Sequence, residues 1–416
     1  MMTIFNIGVP QWFGQLFQQH KLLQINGFLT LLIMGVGYMI VPRFRNVSLP
    51  FLKYAYLSFF IVLASLIAQV VTLLQTSIFA DKISFIIIVI TTLRISGILI
   101  FVTIIFLTLK IRPKRLRLSD YFIALSVVTL LTMNILELSQ MSGIIYSKED
   151  TTVPRITSAD DSLTHIELWL LFPIVMIFGI EYKTLPSFLG FIRPRSIVGL
   201  SSFILTLSCA IIGFLSMVFE TQIPTLQSVF NIIFFTSVVT FTLSIYAFGG
   251  FDNSEIIRLI EGEKRTRYNL TVLHVKISFF LLLLGIFIAI LFGISFGQDH
   301  ETYRFALYDL AIHTIAIGFI GTTISMYLPL MLPPITGKTV QFTNLYRIPL
   351  LLIILSLGLR AVGDIIIAQG NSVSDLVYQS TSLPTIKILS FSLGLSGWFV
   401  VMAMVVFVIT LHRSMK

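Results

Sequence analysis

The chain alternates long apolar runs with short polar stretches. Runs of roughly 20 or more mostly apolar residues recur along its whole length, each long enough to cross a hydrocarbon core of about 30 Å as a helix. The strands of an outer-membrane barrel would instead alternate polar and apolar positions over about 10 residues, and no such alternation is present. The pattern predicts spans at 22–41, 52–74, 84–109, 120–139, 163–185, 197–219, 227–249, 274–295, 306–332, 347–368 and 388–410. The expected fold class is all-α: a polytopic transmembrane helical bundle of 11–12 helices, forming one integral membrane domain over 1–416. Ahead of the first span, Trp12, Phe13, Leu16 and Phe17 recur at helical spacing, which predicts an interfacial helix within 1–20. A short surface helix is expected within 250–270, and a polar outer loop at about 140–162.

Composition narrows the class. Hydrophobic residues make up 56% of the chain and charged residues 11%, too apolar for a soluble fold. The single cysteine, Cys209, excludes an internal disulfide and any multi-cysteine metal site, and is expected to be an inert packing residue. The first 20 residues show no basic region and no small-residue cleavage site, so a removable signal peptide is not expected. No phosphate-binding glycine loop, H-E-x-x-H or C-x-x-C-H motif occurs.

The basic residues are segregated by loop. Of 28 lysines and arginines, 20 fall in the loops after the odd-numbered spans and at the C-terminus, among them Arg43, Arg45, Arg115, Arg117, Lys183, Arg195, Arg267 and Arg413. The positive-inside rule then predicts a multi-pass protein of the cell membrane with its N-terminus outside and its C-terminus cytoplasmic. The net charge of +9 follows from this topology and from anionic lipid headgroups as partners; no nucleic-acid partner is implied.

Spans one, five and nine share a layout. His20 precedes Pro42 by 22 residues, His165 precedes Pro186 by 21, and His313 precedes Pro333 by 20. Gly35 and Gly179 each lie seven residues before their prolines, and Gly27 and Gly318 fifteen before. Helices that start outside at a histidine and end inside at a proline suggest a pseudo-threefold repeat of four-helix units. Common use of proline and glycine in membrane helices is the alternative.

An ionisable side chain at the bilayer centre costs about 2.5–3.5 kcal/mol on insertion scales, so it marks a partner, a cavity or a cofactor. Arg94 lies mid-depth in span three, and Arg360 lies four residues before Asp364 in span ten, on one face and in reach of an ion pair. Asn134 and Glu137, His165 and Glu167, Asp309 and His313, and His20 fall toward the outer side. Glu181, near the inner end of span five, is expected to snorkel. Asp309 and His313, four apart on one face, can fix a tautomer that leaves one ring nitrogen to bind a metal. His20 and His313 are then the natural pair of metal or haem-iron ligands, and His165 is a third candidate. Glu167 and Glu137 are further carboxylates for a supporting shell, and Arg94 and Arg360 would suit haem carboxylates. Interfacial hydrogen bonding is the competing reading for His20 and His165. His274 and His412 read as surface or interface residues, and His300 as a solvated loop residue.

At this point the sequence resembles the NnrS family. The resemblance rests on QHKLLQINGFLTLLIMGVGYMIVPRF, LRISGIL, FGIEYKTLPSFLG, IHTIAIGFIGTTISMYLPLMLPPITGK, LSLGLRAVGD and SGWFVVMAMVVFVITLHR, and most specifically on His313, Gly318, Gly321, Thr336, Gly337 and Lys338. Membership would imply about twelve helices, haem and copper, and a role in nitric oxide or nitrosative-stress handling, with nitric oxide or its metal complexes as partners. The chain departs from the family where it has Gln19, His20 and Lys21 in place of a His-x-His-Glu cluster, and at Pro329 to Pro334. Both departures bear on copper more than on haem. Span one is also similar to the histidine-bearing helices of haem–copper oxidase subunit I, but six histidines without an adjacent pair do not make a complete oxidase. Two other readings stay open: a secondary transporter with Arg94, Glu137, Arg360 and Asp364 along a substrate or proton path, and an accessory or assembly subunit among respiratory-complex partners.

Overall fold

The computed structural model describes residues 20, 22–74, 83–111, 115–146, 163–189, 191–218, 224–249, 262–294, 301–333, 337–368 and 384–415. Every predicted span is a helix: α1 (Leu22–Arg45), α2 (Leu52–Leu74), α3 (Ile83–Lys110), α4 (Leu118–Tyr146), α5 (Leu163–Leu189) and α6 (Ser196–Val218). They continue with α7 (Pro224–Ser244), α8 (Gly262–Ile294), α9, α10 (Arg347–Ala368) and α11 (Pro384–Ser414). Helix α9 runs through three segments, Glu301–His313, Thr314–Gly321 and Thr322–Met331. All eleven are long and apolar enough to cross a membrane. Among the described residues there is no strand, only an isolated bridge between Val340 and Met415. The chain is an all-α polytopic bundle and a multi-pass membrane protein.

The boundaries differ from expectation where polar sequence continues a helix beyond its apolar core. Residues 262–270, expected in a separate surface helix, are the first turns of α8; after Gly262 no glycine or proline interrupts EKRTRYNLTVLH, so nothing stops the helix. Helix α4 likewise continues to Tyr146, into the expected outer loop. Helix α7 stops at Ser244, short of the predicted 249, because the chain turns over 245–249 with Tyr246 at a φ of 55°. The expected interfacial helix lies outside the described residues, as do 147–162, 250–261 and His300.

Proline does not terminate α1 where it stands. The helix continues one turn past Pro42 to Arg45, where Asn46 adopts a left-handed conformation with φ 55°. Its N–H donates to the carbonyl of Arg43 at 3.1 Å, and the N–H of Val47 donates to that of Pro42 at 3.0 Å, closing the helix end. In α5 the helix also runs past Pro186, to Leu189.

The chain divides into two compact units. An N-terminal unit holds Val9–Lys183 and Leu207–Gln222, and a C-terminal unit holds Thr184–Thr206 and Ile223–Lys416. Within the N-terminal unit, α5 meets α4 backbone to backbone at Gly179. A Cβ there would lie 2.9 Å from the Ser119 carbonyl oxygen and 2.8 Å from Ile123 Cγ1. Gly179→Ala is therefore expected to lower stability by about 1–3 kcal/mol, read as a lower midpoint of thermal unfolding in detergent. Within the C-terminal unit, Gly285 of α8 lets α9 approach, since a Cβ there would lie 2.6 Å from Ile315 Cγ1.

The glycines matched by position in the repeat do different work. Gly35 has open space where Gly179 is tightly packed, and Gly27 meets nothing within 3.8 Å, whereas a Cβ at Gly318 would lie 3.1 Å from Leu357 and 3.2 Å from Leu281. Gly318 is thus a point of close helix packing. A different likeness links spans one and nine. Each is π-helical over eight residues just after its histidine, at Leu22–Leu29 after His20 and at Thr314–Gly321 after His313. Helix α5 is α-helical throughout.

Candidate functional site

Four ionisable residues gather in the C-terminal unit, two from α9 and two from α10. Arg360 reaches across from α10 and grips Asp309 with both arms of its fork, Nε to Oδ2 at 2.7 Å and Nη2 to Oδ1 at 2.9 Å. Asp309 in turn faces His313 one turn along α9, with Nδ1 3.3 Å from Oδ1. The same Nδ1 lies 2.8 Å from the backbone carbonyl of Asp309. Both partners of Nδ1 are acceptors, so Nδ1 carries the ring proton and the lone pair sits on Nε2. The π-helical segment opens at the next residue, Thr314, a distortion often found beside functional positions.

The expected pairing of Arg360 with Asp364 gives way to this arrangement. A planar guanidinium bonds a carboxylate in two parallel contacts when the two approach from facing helices, a geometry the one-turn step to Asp364 does not offer. Asp364 is 2% exposed and lies against Asp309, at a distance where the two carboxyl groups can share one proton in a hydrogen bond. It still lies near enough to feel the charges of Asp309 and Arg360.

The N-terminal unit encloses a second cluster. Arg94 on α3 is completely buried. Its Nη2 donates to Glu137 Oε2 at 2.7 Å, its Nη1 to Gln69 Oε1 at 2.7 Å, and its Nε to Asn134 Oδ1 at 3.0 Å. Asn134 also donates to the Leu130 carbonyl at 2.9 Å. One arginine thus ties α2, α3 and α4 together. Gln69 was not a candidate from sequence, because a single neutral amide in AQVVTLL carries no charge to flag it. In both units each intramembrane arginine meets an internal carboxylate, the kind of group a haem would have offered it.

The remaining candidates are dispersed. His20 is exposed and belongs to the N-terminal unit, whereas His313 belongs to the C-terminal one. The side chain of His165 lies outside the described residues, and the site is built without it. Glu167 is 1% exposed, and neither of its oxygens has a hydrogen-bond partner. Glu181 does not snorkel: it is fully buried, again with both oxygens unpartnered. The enclosure of α5 explains this, since it is the most buried of the spans. His274 is buried instead of lying at the surface, with Nδ1 2.7 Å from the Leu270 carbonyl. Bonding back to the preceding turn is therefore not peculiar to His313; the carboxylate at its Nδ1 is. His412 is exposed as expected, and Cys209 is fully buried.

The donor set discriminates between kinds of metal group. Among the described residues no three histidine, cysteine or carboxylate side chains lie together to hold a bare metal ion. A haem iron brings its own equatorial nitrogens and asks the protein for an axial ligand. His313, with its tautomer fixed by Asp309 and Asp309 fixed by Arg360, fits that requirement.

Fold and site together define a multi-pass helical membrane protein with an oriented histidine and paired charges inside its spans. The model of a family described as a domain of unknown function (DUF8744) matches residues 279–383, a stretch that contains Asp309, His313, Arg360 and Asp364. A comparison with curated proteins finds no match.

Proposed function

We propose that this protein is a haem-binding membrane protein with His313 Nε2 as an axial ligand, handling nitric oxide or its metal complexes as the NnrS resemblance implies. The observation that carries the reading is the relay from Arg360 through Asp309 to His313 Nδ1, at 2.7 and 3.3 Å. That relay does what outer-shell partners of a ligating histidine do: it fixes the ring orientation and raises the basicity of Nε2. The bound haem would supply an iron that takes up small diatomic ligands. The protein's own share is to hold the imidazole still and keep its ring proton away from Nε2. Segregation of the basic loops supports a cell-membrane orientation with the N-terminus outside and the cluster in the outer half of the bilayer.

The test is the visible spectrum of the full chain purified from haem-replete cells, which is expected to show a Soret band. A colourless, metal-free preparation would overturn the reading. It would leave the second one, a secondary transporter, which the pair of neighbouring intramembrane carboxyl groups Asp309 and Asp364 favours.

A further inference from the structure

We propose that α5 carries exchangeable protons on Glu167 and Glu181, two stations of a proton route through the N-terminal unit. The inference is independent of what binds at His313. Both residues lie in the most enclosed span, at 1% and 0% exposure, and neither has a hydrogen-bond partner on either oxygen. They are fourteen residues apart, so they stand about 21 Å apart along the axis and only about 40° apart around it. One faces inward near the start of the helix, the other nearer its end.

A buried carboxylate with no partner is among the costliest groups a membrane protein can hold, and intramembrane carboxyl groups are kept where protons or ions move. The stability of α5 does not require them, because Leu171, Ile174 and Phe178 on the same face pack it apolarly and are fully buried. The surroundings also select the ligand. No arginine, lysine or histidine forms an ion pair with either group among the described residues; near Glu167 the titratable neighbour is the buried thiol of Cys209. A calcium-like cation needs roughly 6–8 oxygen ligands, and no cluster of acidic side chains is present among the described residues. The proton is the one cation that a single carboxyl group can hold alone. Leu171, Ile174 and Phe178 form an apolar layer between the two stations, so a proton passes between them only when water bridges that layer.

Infrared spectra of the purified full chain in H2O and D2O test this without relying on any activity. The wild type is expected to show carbonyl bands of protonated carboxylic acids that shift in D2O, one lost in Glu167→Gln and another in Glu181→Gln. A proton shared between Asp309 and Asp364 would contribute a band that neither variant removes. In proteoliposomes under an imposed pH gradient, the wild type is expected to pass protons, and Glu181→Gln to fall to the level of empty vesicles. Bands that are absent from the wild type, survive both substitutions or fail to shift in D2O would overturn the proposal. So would proton flux that is unchanged in Glu181→Gln, or absent from the wild type. Because the wild-type spectrum needs no variant, misfolding of a mutant cannot rescue the idea.

Discussion

Replacing Arg94 with methionine in the full chain is expected to destabilise the N-terminal unit by about 3–5 kcal/mol, the cost of removing one partner from a buried pair. Arg94 has no exposure at all, and its three acceptors come from two neighbouring helices. Without it, Gln69 Oε1 and Asn134 Oδ1 lose their donor while they stay buried, and the Glu137 carboxylate, only 17% exposed, loses its ion-pair partner. Lysine would keep the charge but not the fork, so Arg94→Lys is expected to be intermediate. Glu137→Gln is expected to be milder than either, because it retains an acceptor and removes the charge that needs compensation. The check is the fraction of monodisperse protein that survives a temperature series in detergent. Equal survival of Arg94→Met and wild type would show that the cluster is incidental to the fold.

The second large effect concerns binding. Asp309→Asn should lower haem retention about 10–100-fold, the usual cost of losing the outer-shell partner of a ligating histidine. The substitution keeps size and shape but removes the charge that Arg360 grips at 2.7 and 2.9 Å and that lies 3.3 Å from His313 Nδ1, leaving only the backbone carbonyl on that nitrogen. Stability should change little, because Arg360 is 19% exposed and can turn toward another acceptor or water. Haem transfer to an excess of an apo-haem acceptor measures retention directly. An unchanged transfer rate with an intact Soret band would mean that Asp309 serves only the ion pair with Arg360.

What could be foreseen from the sequence follows from which interactions are local. The spans were legible because in lipid a helix has to satisfy its own backbone, so an apolar run of sufficient length admits one structure. Their ends were less so, because the interface tolerates polar helix, as the first turns of α8 and the last of α4 show. Asp309 and His313 could be paired in advance, since one helical turn fixes their spacing. The choice of Arg360 for Asp309 over Asp364 could not, because it depends on how α9 faces α10. Gln69 escaped notice for the opposite reason: it is neutral, and only the enclosed Arg94 beside it gives it a role. Glu181 was misjudged because its distance from the helix end suggested escape to the interface, whereas the enclosure of α5 is a tertiary property. The π-helical segments after His20 and His313 have no sequence signature of the kind that capping residues give, and only the structure shows this likeness between the two spans.

The central claim is that His313 holds the iron, and the most direct measurement is haem content per protein in wild type and His313→Ala, purified in parallel. The comparison should be restricted to monodisperse fractions whose helical content by circular dichroism is the same. The account predicts haem bound to the wild type and lost from His313→Ala. Full haem content in a well-folded His313→Ala, or no haem in either protein, would contradict it.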